Sequence, residues 1–192
     1  LTYLANSIRK GETEDKEEAA VRNDIPYSTV TAVQNVPGLF AAGESLPRSL
    51  KPGEIALVQW AADDLQAAIG DTIRVTYFEP ESTHGEEKEA TAEFKLVAIV
   101  PLTEPTQPYR RRNPAVFADL PTAANDPDFT PEVPGITDQE SINSWDPPFP
   151  YDQKRVRPKD DDYWKNHRTT PKAYVSVADG ERMWGSRFGK VT

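Results

Sequence analysis

His84 and His167 are the two histidines of this 192-residue chain, and imidazole is the side chain best suited to moving protons near neutral pH. Neither stands in an HExxH or His-x-His spacing, so neither has the neighbours a zinc site needs, and both are expected to be ordinary surface or loop histidines. Serines are plentiful, but no G-x-S-x-G elbow presents one to a base. Cysteine is absent, which removes disulfides, thiolate metal sites and a cysteine nucleophile together and leaves the redox compartment open. No glycine-rich phosphate loop is present. On these grounds no catalytic, cofactor-binding or metal-binding residue is assigned, and the chain is expected not to be an enzyme.

Carboxylates are denser. Asp126, Asp128, Glu132, Asp138 and Glu140 precede a second group at Asp160, Asp161 and Asp162, and such oxygens can hold calcium. The EF-hand spacing with its central glycine is missing, and Asp160–Asp162 beside Arg157 and Lys159 reads as a solvated, self-neutralising loop. The one basic run, Arg110, Arg111 and Arg112, lies between Pro108 and Pro114, so its planar donors should be displayed on an extended segment. Trp145, Tyr151, Tyr163 and Trp164 give the second half an aromatic density that implies rings buried by folding back, or else a binding groove. These seven residues form the expected partner-binding surface. A net charge of −9 repels nucleic acid, and no nucleic-acid partner is expected.

Positioning these residues falls to two unlike halves. Thirteen of the 18 prolines lie between Pro101 and Pro171, where each removes a backbone donor and disfavours helix before it. Residues 105–170 are therefore expected to be an irregular insertion, set between a regular α+β part at 1–104 and a closing strand and short helix at 171–192. Within the regular part, LTYLANSI and PYSTVTAV have the composition of strands. Lys10–Ala20, which offers nothing to bury, should be a mobile loop. Leu57, Trp60, Ala61, Leu65, Ala68 and Ile69 recur at helical spacing, with Gly70 placed to cap the helix. DTIRVTYF and AEFKLVAIV then alternate as an antiparallel hairpin packed on that helix. The longest apolar run, Leu96–Leu102, is far short of a membrane span. The chain opens at Leu1 without a signal-like segment and is expected to be an interior piece of a longer protein.

GEIALVQWAADDLQAAIGDTIRVTYF followed by EFKLVAIVPL resembles the extracytoplasmic domain of MacB/FtsX-type ABC transporter permeases. In that family a glutamate-led apolar segment enters a helix, a Gly-Asp pair ends it, and a strand hairpin follows. Glu54, Gly70, Asp71 and Phe94–Val100 match that layout, and Pro171–Gly185 is similar to the family's closing strand and short helix. Ala98 stands where the family usually has glycine, and Pro105–Thr170 has no counterpart in compact members. The resemblance implies a non-catalytic domain on the periplasmic side of the inner membrane that couples ATP-driven helix movement to cargo. Its implied partners are a cytoplasmic ABC ATPase subunit acting through the whole permease, a second permease copy, and an accessory protein or transported cargo. The alternative is a secreted or periplasmic carbohydrate- or ligand-binding domain whose aromatic rings form a platform.

Overall fold

Runs rich in Val, Ile, Thr and Tyr become strands because branched and aromatic side chains pack well on a pleated surface. The computed structural model describes residues 1–11, 24–34, 49–79, 88–110, 114–125, 132–147 and 150–185. Most of the expected mobile loop (residues 12–20), His84, Arg111, Arg112, Asp126, Asp128 and residues 186–192 lie outside the described residues. Six strands, β1 (Thr2–Lys10), β2 (Asp24–Val33), β3 (Glu54–Val58), β4 (Thr72–Phe78), β5 (Glu89–Val100) and β6 (Ala173–Ser176), close into a barrel in the order β1-β2-β6-β3-β5-β4. β4 returns to β1, with Ser7 opposite Thr76 and Lys10 opposite Ile73. The β2–β6 and β3–β5 pairs are parallel, and the other four are antiparallel.

The mixed helix-and-strand class is as expected, but the sheet is a closed barrel. The β4–β5 pair, with Ile73 opposite Phe94 and Val75 opposite Ala92, is one segment of that barrel and not a free hairpin resting on a helix. Closure depends on β1 and β6, which lie near opposite ends of the sequence, so no local pattern announces it. Its gain is the loss of unpaired sheet edges. Ile8, Ile55, Leu57, Ile73 and Leu96 are wholly buried in the core, each contributing about 1.5–3 kcal/mol of apolar burial.

Among the described residues three α-helices decorate the barrel. α1 (Gln59–Leu65) is shorter than the periodicity of Leu57–Ile69 predicts. Barrel pairing claims Leu57 and Val58 for β3, opposite Ala173 and Val100, and Gln66 ends the helix in the left-handed region at φ 51°. Gly70, at φ 100°, instead turns the chain into β4, and Ile69 is two-thirds exposed. α2 (Pro158–His167) overturns both the irregular reading of this stretch and the solvated Asp160–Asp162 loop. Proline is tolerated at a first helical position because that N–H has no helical partner, and Asp160 reaches back to accept from the Arg157 N–H. α3 (Val177–Trp184) is capped by Ser176, whose Oγ accepts from the Asp179 N–H. Gly180 lets α3 settle on β2, since a Cβ there would stand 2.5 Å from the Ala32 methyl.

Trp184 ends α3 stacked on Tyr3 of β1, with ring centroids 4.6 Å apart and planes 8° from parallel, and it meets Tyr77 edge-on. It is almost fully buried. Trp184→Ala is expected to cost about 3–5 kcal/mol in urea-induced unfolding, because the cavity it leaves lies between β1, β4 and α3. A loss below about 1 kcal/mol would show that α3 does not close the barrel's side.

Candidate functional site

Tyr27 occupies a position that strands normally refuse. It has φ 44° inside β2, and the β1–β2 ladder pairs Ala5 with Ser28 and Ser7 with Pro26 while skipping the Asn6–Tyr27 level. A non-glycine residue held there costs about 1–3 kcal/mol, so its surroundings must enforce it. They come from the insert. The Tyr27 hydroxyl accepts from the Asp152 N–H at 2.7 Å, its ring meets Tyr151 at 4.8 Å, and the Arg155 guanidinium lies 5.2 Å from its centroid. Arg155 in turn donates to Asp24 at 2.7 Å and to the Asn6 carbonyl at 3.1 Å, fastening the insert to both strands.

Above Tyr27 a second apolar cluster gathers Ile136, Ile142, Trp145 and Trp164. Trp164 donates to the Gln139 carbonyl at 3.0 Å and stands edge-on to Trp145 at 4.9 Å. Between this cluster and the outer face of β1–β2 lies a cleft of about 90 Å³, lined mainly by apolar atoms and reaching Arg168 and Lys172. The Trp145 indole N–H is buried and has no hydrogen-bond partner among the described residues. A separate, more polar hollow of about 270 Å³ adjoins Asn6, Glu89, Tyr151 and Arg155.

Lys172 is the most unusual charge. It immediately precedes β6, is almost fully buried, and its ammonium lies 4.8 Å from the Trp60 centroid and 4.6 Å from that of Tyr163. Burial pulls its pKa down to about 8, against the opposing attraction of Asp160. The nearby carboxylates are turned to Arg157, which bonds Asp160 at 2.5 Å and Asp64 at 2.7 Å, while Lys159 also meets Asp64. Burial likewise raises the Tyr163 hydroxyl well above its ordinary value, and that hydroxyl donates to the Thr170 carbonyl at 3.0 Å.

His167 is not the surface residue its polar neighbours suggest. It is buried beside Tyr163 at 4.8 Å, with Nε2 3.1 Å from a Glu104 carboxylate oxygen and Nδ1 unpartnered among the described residues. Burial lowers its pKa despite the Glu104 charge. Among the described residues no group of three or more His, Asp or Glu side chains could hold a metal ion.

The expected partner surface divides. Arg110 is exposed on the insert, but Trp145, Tyr163 and Trp164 are buried and Tyr151 is half-buried, so the rings form no open platform. The first three line the cleft instead, because the insert packs its aromatic face on the barrel. Tyr27, Arg168 and Lys172 are the site residues the sequence did not single out. The only available signal was a lysine abutting the wholly apolar AYV of the last strand. The chain matches no family model and no curated protein in sequence. What can be said of its function therefore rests on its residues and their geometry.

Lys172 makes a signed prediction. Its folded pKa of about 8 lies below the ordinary 10.5, so between those values the unfolded chain holds more protons and stability rises with pH. Below about 8 the burial penalty is fully in place. Above 10.0 the raised tyrosines Tyr151 and Tyr163 act in the opposite sense. His167, lowered from 6.5, makes stability fall as acid is added below that value. Urea titrations at about pH 7 and about pH 9.5 are expected to show a rise in wild-type stability that Lys172→Met abolishes. An equal rise in both proteins would remove Lys172 as its source.

Proposed function

We propose that this chain is the extracytoplasmic domain of a MacB/FtsX-type ABC transporter permease, passing ATP-driven movement of membrane helices to a cargo or accessory protein. The observation that carries the reading is the meeting of the first strand and the last helix. The Leu1 carbonyl accepts from the Ala32 N–H at 2.7 Å, and Tyr3 stacks on Trp184, so chain entering at β1 and chain leaving at α3 share one side of the barrel. A domain inserted between two membrane helices requires that arrangement. Among the described residues no helix is long and apolar enough to cross a bilayer, so the membrane-crossing parts would belong to the rest of the permease.

The family-like Gly70-Asp71 pair supports the same reading, as it forms a rigid corner. The Gly70 N–H donates to the Leu96 carbonyl, the Leu96 N–H donates to the Asp71 carbonyl, and Asp71 accepts from the Ala68 N–H and pairs with Lys10 at 2.7 Å. The Ala68 N–H first, and then Lys10, hold the Asp71 carboxyl below its ordinary value. A barrel corner tied in this way resists local deformation, which suits a transmitter of force. On this reading the cytoplasmic ATPase acts through the whole permease, a second permease copy pairs with the first, and the exposed part of the insert, with Arg110, Val116 and Leu120, faces the partner. A ligand-binding domain is the second reading, favoured by the cleft beneath Trp145 and Trp164.

The two sides of the membrane are told apart by one cysteine. The 192 residues contain none, and Leu120 is 92% exposed. In the natural full-length chain carrying Leu120→Cys, a membrane-impermeant maleimide is expected to label cells with a permeabilised outer envelope and an intact inner membrane. Ala61→Cys, wholly buried, should stay unlabelled. Labelling of Cys at position 120 only after lysis of the inner membrane would place the domain in the cytoplasm and sink the proposal.

A further inference from the structure

We propose that the cleft between the β1–β2 face and the insert binds a carboxylate carried on a short, branched aliphatic body. The site belongs to the seam of barrel and insert and does not depend on the permease reading. Its charged side chains are of one sign. The buried Trp145 indole N–H has no partner among the described residues, and Lys172 brings an ammonium that no oxygen of the described residues bonds. Arg168 adds a second cation, and no Asp or Glu lines the cleft. Three of the hydroxyl protons there are already committed. Thr29 donates to the Thr169 carbonyl at 2.8 Å, Thr170 to the His167 carbonyl at 2.6 Å and Tyr163 to the Thr170 carbonyl. Spare donors beside fixed positive charge call for an acceptor with negative charge, and a carboxylate takes charge-assisted bonds from both an indole and an ammonium.

The remainder of the cleft is apolar and small. The open space is about 90 Å³, and Ile136 and Ile142 on its wall offer a branched aliphatic group its contacts. Backbone strain points to the same place. Of the three non-glycine residues with positive φ among those described, Tyr27 at 44° and Arg168 at 53° both line the cleft. Such strain persists where surroundings over-determine it, commonly at ligand sites.

The test compares one body with three heads. 3-Methylbutanoate, 3-methylbutan-1-ol and 3-methylbutan-1-amine are titrated into the wild-type protein, followed by ligand-observed NMR and by tryptophan fluorescence. The acid is expected to saturate and to bind at least about tenfold more tightly than the alcohol, with the amine weakest. Lys172→Met should weaken the acid several-fold and leave the alcohol nearly unchanged, narrowing the gap between them while Arg168 and the indole keep a residual preference for the acid. Trp145→Phe, which keeps a ring and loses the donor, should weaken the acid more than the alcohol, since the bond to a carboxylate is the stronger one. Should Lys172→Met fail to fold, the three heads and Trp145→Phe decide the matter. A peptide ending in free leucine that competes with the acid, while its amide does not, identifies a chain terminus as the source of the carboxylate. A peptide that fails to compete identifies a free acid. An amine or alcohol that binds as tightly as the acid, or an acid that shows no saturable change, overturns the proposal.

Discussion

Tyr27 is the constraint on which the rest of this structure turns. Its backbone sits where a tyrosine gains nothing locally, and the conformation survives because Asp152, Tyr151 and Arg155 hold the side chain from the insert. The same contacts hold the insert on the barrel. Strain in β2 and docking of the insert are therefore two sides of one interaction, and the cleft exists because the two surfaces meet at rings and not at a flat apolar face.

A second tie works through charge. Arg157, at the head of α2, bridges Asp64 on α1 and Asp160 within its own helix, so α2 is bonded to the helix that follows β3. Removing one partner from such a buried pair leaves an uncompensated charge, a loss of about 3–5 kcal/mol. Lys172 feels the charges of this bridge, but among the described residues no oxygen bonds its ammonium. Its position follows from the barrel: its N–H donates to the Thr29 carbonyl and its carbonyl accepts from the Val58 N–H, which fixes it between β2 and β3. Its ammonium then lies over the rings of Trp60 and Tyr163.

Much of the barrel was legible because strands announce themselves by alternation. β4 and β5 fall on the alternating runs that predict them, β1 and β2 on runs with the composition of strands, and β6 within the closing strand that the resemblance implied. Closure was not legible, because the parallel β2–β6 contact joins residues about 140 positions apart in the sequence and leaves no local trace. The α1 boundary failed for a related reason. Leu57 satisfies a helical period and a strand equally, and pairing with Ala173 decided between them. In the insert, proline density pointed to irregularity, yet Pro158 at a helix start is compatible with ten residues of helix. The aromatic residues of the insert were found from the sequence, and of the two readings given them, rings buried by folding back or a binding groove, burial holds for Trp145, Tyr163 and Trp164. Burial of His167 and Lys172 was invisible, since only tertiary packing makes a polar residue an interior one.

The central claim is that barrel and insert fold as one body through Tyr27, and native-state hydrogen exchange tests it most directly. The Arg168 amide, bonded to the Trp164 carbonyl at 2.9 Å, reports the end of α2, and the strand amides of Val30 and Ile55 report the barrel. The account predicts that α2 and barrel amides exchange with the same opening free energy, and that Tyr27→Ala lowers the α2 value first. Exchange of α2 at an opening free energy more than about 2 kcal/mol below the barrel's in the wild-type protein would contradict it, and the insert would be a separately opening loop.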